Sequence, residues 1–441
     1  MLPINEHCPC GKAHRFTTKV VVEKGAIQKL PAILQEKGLQ RAFLIADANT
    51  YRAAGETVSA VLEGAGTQIK KYIFTKDTLE PDEANVGLAI MHFDPTADVV
   101  IGVGSGVIND ISKIVANVSG KPYIIVGTAP SMDGYASATS SMTVEGLKVS
   151  LNSKCADVII GDLDILCAAP LPMMLSGLGD MLAKYISICE WRISNLINGE
   201  YYCEEIAALV RTSLKKCVDN AQGLLSGEET GVMAVFEGLT LCGAAMQMAG
   251  VSRPASGVEH YISHVWDMRG AAFGTPVDTH GIQCAVGTLL AAKLYEKLKT
   301  VTPDREKAIA YAQRFDFAAW SEELRAFLGK GAESMIALEE KEQKYNVVKH
   351  ATRIDTIIEN WDAILEIVNQ EIPALAELEA LFDRVGLPKT AAEIGIDETI
   401  LPMTFLAAKD IRDKYVLPRL CWDLGLLEEF ANALTKGDHH G

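Results

Sequence analysis

The sequence predicts an α/β fold: a mainly parallel sheet with helices on both faces, followed by an all-helical second half. Three observations carry this. Up to about residue 160, short apolar runs rich in β-branched residues alternate with helix-length amphipathic stretches, which is the rhythm of strand–helix–strand units with parallel strands. The linkers are short, and 36 glycines beside 16 prolines suit many tight strand-to-helix turns. Beyond Pro170 nearly every segment carries helical periodicity with few β-branched runs.

In order, residues 18–22 (Thr-Lys-Val-Val-Val) read as the first strand, and a helix from about Gly25 to Lys37 follows. Residues 41–46 form a buried strand ending at Asp47, 50–63 a helix, and 67–74 a strand. Pro81 precedes a helix over 82–92; then come a strand at 98–101, a helix over 107–118 and a strand at 122–126. Two β-rich runs at 140–144 and 147–151 flank Glu145-Gly146 as a hairpin, and 157–160 is a last short strand. The change of character places a domain boundary near 165–170, giving an α/β domain over 1–168 and a helical domain over 169–441. Residues 330–380 are charged and read as exposed helices, and the terminal Lys436-Gly-Asp-His-His-Gly reads as a loose tail.

Composition narrows the function. At 441 residues the chain is long enough for two or three domains. The formal net charge of −16 argues against a nucleic-acid surface, which needs clustered Lys and Arg. An anionic substrate then needs a locally basic pocket. The N-terminus shows no secretory pattern and no uninterrupted apolar stretch is long enough to span a bilayer, so a cytoplasmic location is expected. Ten cysteines are spread through the chain, and most, such as Cys167, Cys189, Cys242 and Cys284, lie in apolar helix-like surroundings and read as reduced core residues. Cys8, Cys10 and His14 differ: they put metal-ligand donors at tight spacing, with His7 beside them, although an ordinary turn accounts for the same segment.

Three motifs carry chemistry. Gly102-Val-Gly-Ser-Gly follows an apolar strand and opens a helix, so its backbone can approach a pyrophosphate while first-turn amides face the anion. It follows the fourth strand rather than the first, and the acid at a strand end, Asp47, precedes it, so this is not the standard Rossmann fingerprint. Asp47 suits ribose hydroxyls and equally suits a helix N-cap. Thr128-Ala-Pro-Ser-Met-Asp-Gly-Tyr-Ala-Ser follows the fifth strand, where open α/β sheets place ligands; by composition alone it is a turn-rich connection. Finally, Asp180, His260 and His280 form a candidate shell for a divalent metal with one position open. His260 and His264 share a helix face, and Asp180 and Lys184 share another, in apolar segments where an unpaired Asp or His is costly.

Taken together, Thr128-Ala-Pro-Ser-Met-Asp-Gly-Tyr-Ala-Ser, Ser256-Gly-Val-Glu-His-Tyr-Ile-Ser-His, Gly-Asp-Met-Leu-Ala-Lys and Thr-His-Gly resemble the sn-glycerol-1-phosphate dehydrogenases, over roughly residues 15–300. That family lies in the dehydroquinate synthase-like superfamily, with the iron-containing alcohol dehydrogenases and glycerol dehydrogenases. The resemblance implies that Gly106, Val107, Ile108, Asn109, Asp110, Thr128, Ala129, Pro130, Ser131 and Ser137 contact NAD or NADP, with Asp47 at the adenosine ribose. It implies that Asp180, His260 and His280 hold one divalent metal (zinc or nickel foremost, or iron), and that Asp133, His264 and Asp180 touch substrate. His264 and Asp133 are the candidate catalytic residues, and Lys184 and Arg253 the candidate phosphate partners. The expected reaction is reversible reduction of dihydroxyacetone phosphate to sn-glycerol 1-phosphate by a homodimer. The competing readings are a dehydrogenase of glycerol or another unphosphorylated polyol, and a non-catalytic relative acting as a binding protein. Each departs at a testable point, the substrate in one case and cofactor binding in the other.

Overall fold

The computed structural model describes residues 8–76, 78–145 and 147–435. His7, Gly146 and the tail 436–441 lie outside the described residues. The chain divides into two compact units, Met1–Met181 with Ala208–Val251, and Leu182–Ala207 with Ser252–Gly441.

The first unit is built on a six-stranded parallel sheet. Its strands are β1 (Lys19–Glu23), β2 (Arg41–Asp47), β3 (Gln68–Phe74), β4 (Val99–Gly104), β5 (Tyr123–Gly127) and β8 (Val158–Asp162), in the order β1-β8-β5-β4-β2-β3. A separate antiparallel hairpin pairs β6 (Thr139–Val144) with β7 (Leu147–Asn152). β4, β5 and β8 are buried along their whole length. That is why they read as unbroken apolar runs: helices cover both faces of a parallel sheet. Ile27, Leu30, Leu44, Val58, Ile101, Val126 and Ile160 are among the side chains of its core, each less than 2% exposed.

The chain steps from β2 outward to β3, then returns to place β4 on the other side of β2. The strand order therefore reverses between β2 and β4, and a crevice opens beyond their carboxyl ends. The register Ile45 to Gly102 sets Asp47 and Gly104 at that same edge.

Helix Glu229–Ala249 belongs to the sheet's unit. Gly127 on β5 and Gly161 on β8 have no side chain, and a Cβ at either would run into the Phe236 ring. The two glycines thus form the groove that seats this helix. By length and mean hydropathy the same helix is apolar enough to cross a membrane, contrary to the sequence expectation. Two thirds of its apolar window is buried inside the protein, as befits a core helix.

In the second unit, helices Val258–Phe273 and His280–Leu298 pack closely. Gly287 permits this, because a Cβ there would sit 2.8 Å from the Glu259 carbonyl oxygen. Helices Ala332–Glu342, Val347–Glu359, Trp361–Glu371 and Leu375–Val385 cover the charged stretch. They are not simply exposed. Ile354, Ile357, Ile364, Val368 and Phe382 are fully buried, so each of the last three helices turns an apolar stripe inward.

Candidate active site

In the first unit, β4 ends at Gly104 and helix Gly106–Ser119 begins two residues later. A Cβ on Gly104 would lie 2.6 Å from Ile108 Cβ, so the tight turn requires glycine. Ser105 Oγ accepts from the Gly106 amide at 2.7 Å. The next amides, of Val107 and Ile108, belong to the first turn, which has no partner inside a helix and faces whatever anion sits there. Asn109 and Asp110 follow on the same helix.

The segment 128–137 lies beside this turn. The Thr128 amide donates to the Gly104 carbonyl at 3.1 Å, and Ser105 Oγ and Ser131 Oγ are 3.0 Å apart. Thr128, Ala129 and Ser131 are buried. The segment is braced from three sides. Ser176 Oγ donates to the Ser131 carbonyl at 3.1 Å. Gly177 packs its Cα against the Pro130 carbonyl, and Gly243 packs against the Asp133 carbonyl; a Cβ at either would collide with that backbone. From below, the fully buried Lys113 ammonium donates to the Gly134 carbonyl at 2.5 Å and to Ser137 Oγ and the Thr139 carbonyl at 3.1 Å. Burial holds the Lys113 pKa below its ordinary value, against the pull of Asp110. The Ser137 hydroxyl is itself engaged inside the protein, donating to the Thr139 carbonyl at 2.9 Å.

Asp47 realises the capping reading. Its Oδ1 accepts from the Asn49 and Thr50 amides at 2.8 and 2.9 Å, while Thr50 Oγ1 accepts from the Asp47 amide at 3.1 Å, forming a capping box. The cap fixes the carboxylate at the mouth of the β2–β4 crevice. Asp180, fully buried on helix Leu171–Leu182, accepts from the Asp133 amide through Oδ2 at 2.9 Å. The carboxylates of Asp133 and Asp180 bring donor atoms within 4.8 Å of each other.

The second unit carries the imidazoles. His260 and His280 have ring centroids 5.0 Å apart, and the His264 ring stacks on His280 at 5.9 Å. The Glu259 carboxylate lies 2.8 Å from His260 Nδ1. A carboxylate only accepts, so Nδ1 carries the proton and Nε2 presents its lone pair, the arrangement of a metal-ligating histidine held by a carboxylate. His280 Nδ1 is engaged by Ser263 Oγ at 3.2 Å, and Ser263 is in turn held by Gln283 Nε2 at 3.1 Å. The donor set therefore fits a divalent ion: two borderline imidazole ligands, each positioned by a second residue. Glu259 is held by the Gly257 amide at 2.7 Å. Glu190 ties down the same helix start, accepting from the Val258 amide at 2.9 Å; burial and the adjacent Glu259 push its pKa well above the ordinary carboxylate range.

Sequence reasoning passed over several of these groups. Cys284 reads as a core thiol, yet it brings Sγ within 3.6 Å of His280 Nε2 and into one donor cluster with His260 and His280. Burial raises its pKa, and the two imidazoles outweigh that and lower it. Its signal in the sequence is its place one helical turn after His280. Glu259 is signalled by being the acid next to His260. Lys113 has no such signal, since a lysine three residues after Asp110 reads as an exposed helix pair. Lys184 and Arg253 are both buried, not surface charges. Lys184 Nζ donates to the Ala255 carbonyl at 3.0 Å, and Arg253 makes a paired contact with Glu200 at 2.8 and 2.5 Å and donates to the Tyr415 carbonyl at 2.9 Å.

Against known proteins, the model of the iron-containing alcohol dehydrogenase family matches residues 21–170. The glycerol-1-phosphate dehydrogenase (NAD(P)+) of Halalkalibacterium halodurans is 34% identical over 298 residues, covering 66% of this chain and 75% of that protein. The chain belongs to the glycerol-1-phosphate dehydrogenase family. The match reaches archaeal members of that family: the Methanosarcina acetivorans glycerol-1-phosphate dehydrogenase is 31% identical over 277 residues, 63% of this chain and 76% of its own. The fold is also that of solved structures far from it in sequence. A probable glycerol dehydrogenase from Sinorhizobium meliloti superposes with a TM-score of 0.59 at 19% identity, over 95% of this chain and 99% of that one. At that identity the likeness speaks for the fold alone, and it spans nearly the whole chain.

Proposed function

We propose that this member of the glycerol-1-phosphate dehydrogenase family interconverts dihydroxyacetone phosphate and sn-glycerol 1-phosphate, using NAD(P) and one divalent metal. The observation that carries the substrate is the 34% identity to a glycerol-1-phosphate dehydrogenase over three quarters of that enzyme's length. An unphosphorylated polyol is not favoured, because the glycerol dehydrogenase likeness is one of fold at 19% identity.

Asp180, His260 and His280 are the proposed metal ligands, and zinc or nickel the proposed ion, with iron next. When bound, such an ion supplies Lewis acidity toward the C2 oxygen, while the nicotinamide supplies the hydride chemistry. The rest falls to the chain. The backbone amides of Val107 and Ile108 take the pyrophosphate, with the 128–131 segment alongside. Asp47 accepts from the adenosine ribose hydroxyls and favours NAD, since a carboxylate repels a 2′-phosphate. Asp133 holds a substrate hydroxyl and helps fix the face presented. His264, one turn after His260, relays the proton of the C2 hydroxyl or holds a neighbouring hydroxyl. Lys184 and Arg253 remain the candidates for the substrate phosphate; the carbonyl and carboxylate partners described above already occupy much of their donor capacity. A cytoplasmic homodimer completes this reading, carried by the family resemblance.

The decisive assay measures hydride transfer with glycerol 1-phosphate, glycerol 3-phosphate and glycerol side by side, after metal removal and add-back of single ions. Turnover is expected with glycerol 1-phosphate only, lost on chelation and restored by one or two of the ions. Comparable rates with glycerol would overturn the substrate, and undiminished rates without metal would overturn the metal. A narrower test is Glu259→Ala. Removing the carboxylate that orients His260 is expected to weaken metal binding by about 10–100-fold, read by competition against a chelating dye. Unchanged affinity would mean that Glu259 serves only the helix start.

A further inference from the structure

The dehydrogenase reading leaves one cluster of ligating side chains unused. Residues 8–18 run without helix or extended strand, pairing only through an isolated bridge at His14. Something other than a hydrogen-bonded ladder must pin them. Cys8 is 6% and His14 3% exposed, although the segment around them has no regular structure. The Gly11 amide donates to the Cys8 carbonyl at 2.9 Å, closing a turn with Gly11 at φ +81°, and this folds Cys8 and Cys10 toward each other.

Sγ of Cys8, Sγ of Cys10 and a ring nitrogen of His14 all lie within 4.8 Å of one another, and Cys10 Sγ is 3.2 Å from His14 Nε2. Around a tetrahedral ion with bonds of about 2.3 Å to sulfur and 2.0–2.1 Å to nitrogen, adjacent donors sit roughly 3.5–3.8 Å apart. The cluster is within a small adjustment of that. His14 Nδ1 lies 3.3 Å from the carbonyl of Met248, in the last turn of helix Glu229–Ala249. A carbonyl only accepts, so the proton sits on Nδ1 and the Nε2 lone pair points at the sulfurs. This is how a ligating histidine is held in structural metal sites. The same bond satisfies one of the carbonyls that a helix leaves open at its C-terminus. A plain S–H···N hydrogen bond accounts for Cys10 and His14, but not for the convergence of Cys8 on the same point.

We propose that Cys8, Cys10 and His14 bind a structural zinc-class ion, separate from the catalytic metal, through two thiolates and Nε2. A fourth ligand from outside the segment completes the shell. The ion staples residues 8–14 to the end of helix Glu229–Ala249, the helix whose Gly243 braces Asp133. Binding releases the two thiol protons to solvent, with no redox change.

The test counts metal and reads sulfur ligation, and neither readout depends on dehydrogenase activity. Protein is produced in zinc-supplemented medium. Cys10→Ser and His14→Ala are each expected to lose one zinc equivalent per chain relative to the parent, and a mercurial thiol reagent should release that same equivalent from the parent. In a Cys284→Ser background, which removes the thiol beside His280, cobalt loading should give thiolate-to-cobalt charge-transfer absorption that Cys10→Ser abolishes. Equal zinc content in parent and variants would overturn the site. So would an absence of charge transfer in the Cys284→Ser protein, and that measurement decides the matter even if the Cys10 and His14 variants fail to fold. A Cys8–Cys10 disulfide in the purified protein would also overturn it.

Discussion

His260→Ala is expected to cost the enzyme its catalytic metal and with it essentially all turnover. His260 is the imidazole whose Nε2 is most firmly presented, because Glu259 fixes its Nδ1 at 2.8 Å and Glu259 is itself fixed by the Gly257 amide. Alanine removes the proposed ligand and takes away the imidazole that the buried Glu259 carboxylate engages. Lewis-acid assistance is worth several kcal/mol in such reactions, so the fall in turnover is about a thousandfold or more. Metal analysis and rate should move together. His264→Ala is the contrast: its ring stacks on His280 at 5.9 Å, and its proposed role is toward the substrate. That variant should keep the catalytic metal and lose about 10²–10⁴-fold in turnover as a missing proton relay. Equal metal loss in both variants would reverse the two roles.

Gly177→Ala is expected to damage the proposed nucleotide-binding segment 128–137 with a single methyl group. Gly177 lies on helix Leu171–Leu182 with its Cα against the Pro130 carbonyl, and the added Cβ would meet that backbone oxygen directly. A flexible side chain could swing away, but Pro130 sits in a segment tied to Ser176, Lys113 and the Gly104 carbonyl. Overpacking of this kind costs about 1–3 kcal/mol. Part of the cost should appear as a raised KM for the nicotinamide cofactor, because the displaced carbonyl belongs to the loop beside the glycine turn. Gly87→Ala is the control. It lies in helix Glu83–His92 with open space around the would-be Cβ, and should be neutral or stabilising by up to about 1 kcal/mol. A Gly177→Ala protein with parental melting temperature and cofactor KM would show that the contact yields freely.

The strands were legible because parallel strands buried on both faces leave an unmistakable apolar imprint, as in Tyr123-Ile-Ile-Val-Gly127. The glycine turn, the Thr128 segment and the histidine pair were legible as motifs. What those motifs rest on was not. Periodicity says that a helix face is buried but not against what, so nothing in the sequence told that Phe236 fills the space over Gly127 and Gly161. Lys113 was invisible for a related reason: its partners are backbone carbonyls and a hydroxyl more than twenty residues away, and carbonyls leave no trace in composition. Asp47 shows the opposite case: of two readings that composition could not separate, the helix cap is the one its hydrogen bonds realise, and the ribose reading stays a proposal.

Because all six strands of the main sheet run the same way, the loops that lead into them gather at the opposite edge from the glycine turn. Residues 37–40 and 64–67 lie there, largely exposed, and Gly66, at φ +88°, has nothing within 4 Å of where a Cβ would be. Seven residues of β3 separate the second of these loops from the carboxyl edge, roughly 20 Å of extended chain. A fluorophore or affinity handle grafted at 64–67 would therefore sit well away from the glycine turn, which makes that corner the natural anchor for single-molecule or immobilised work.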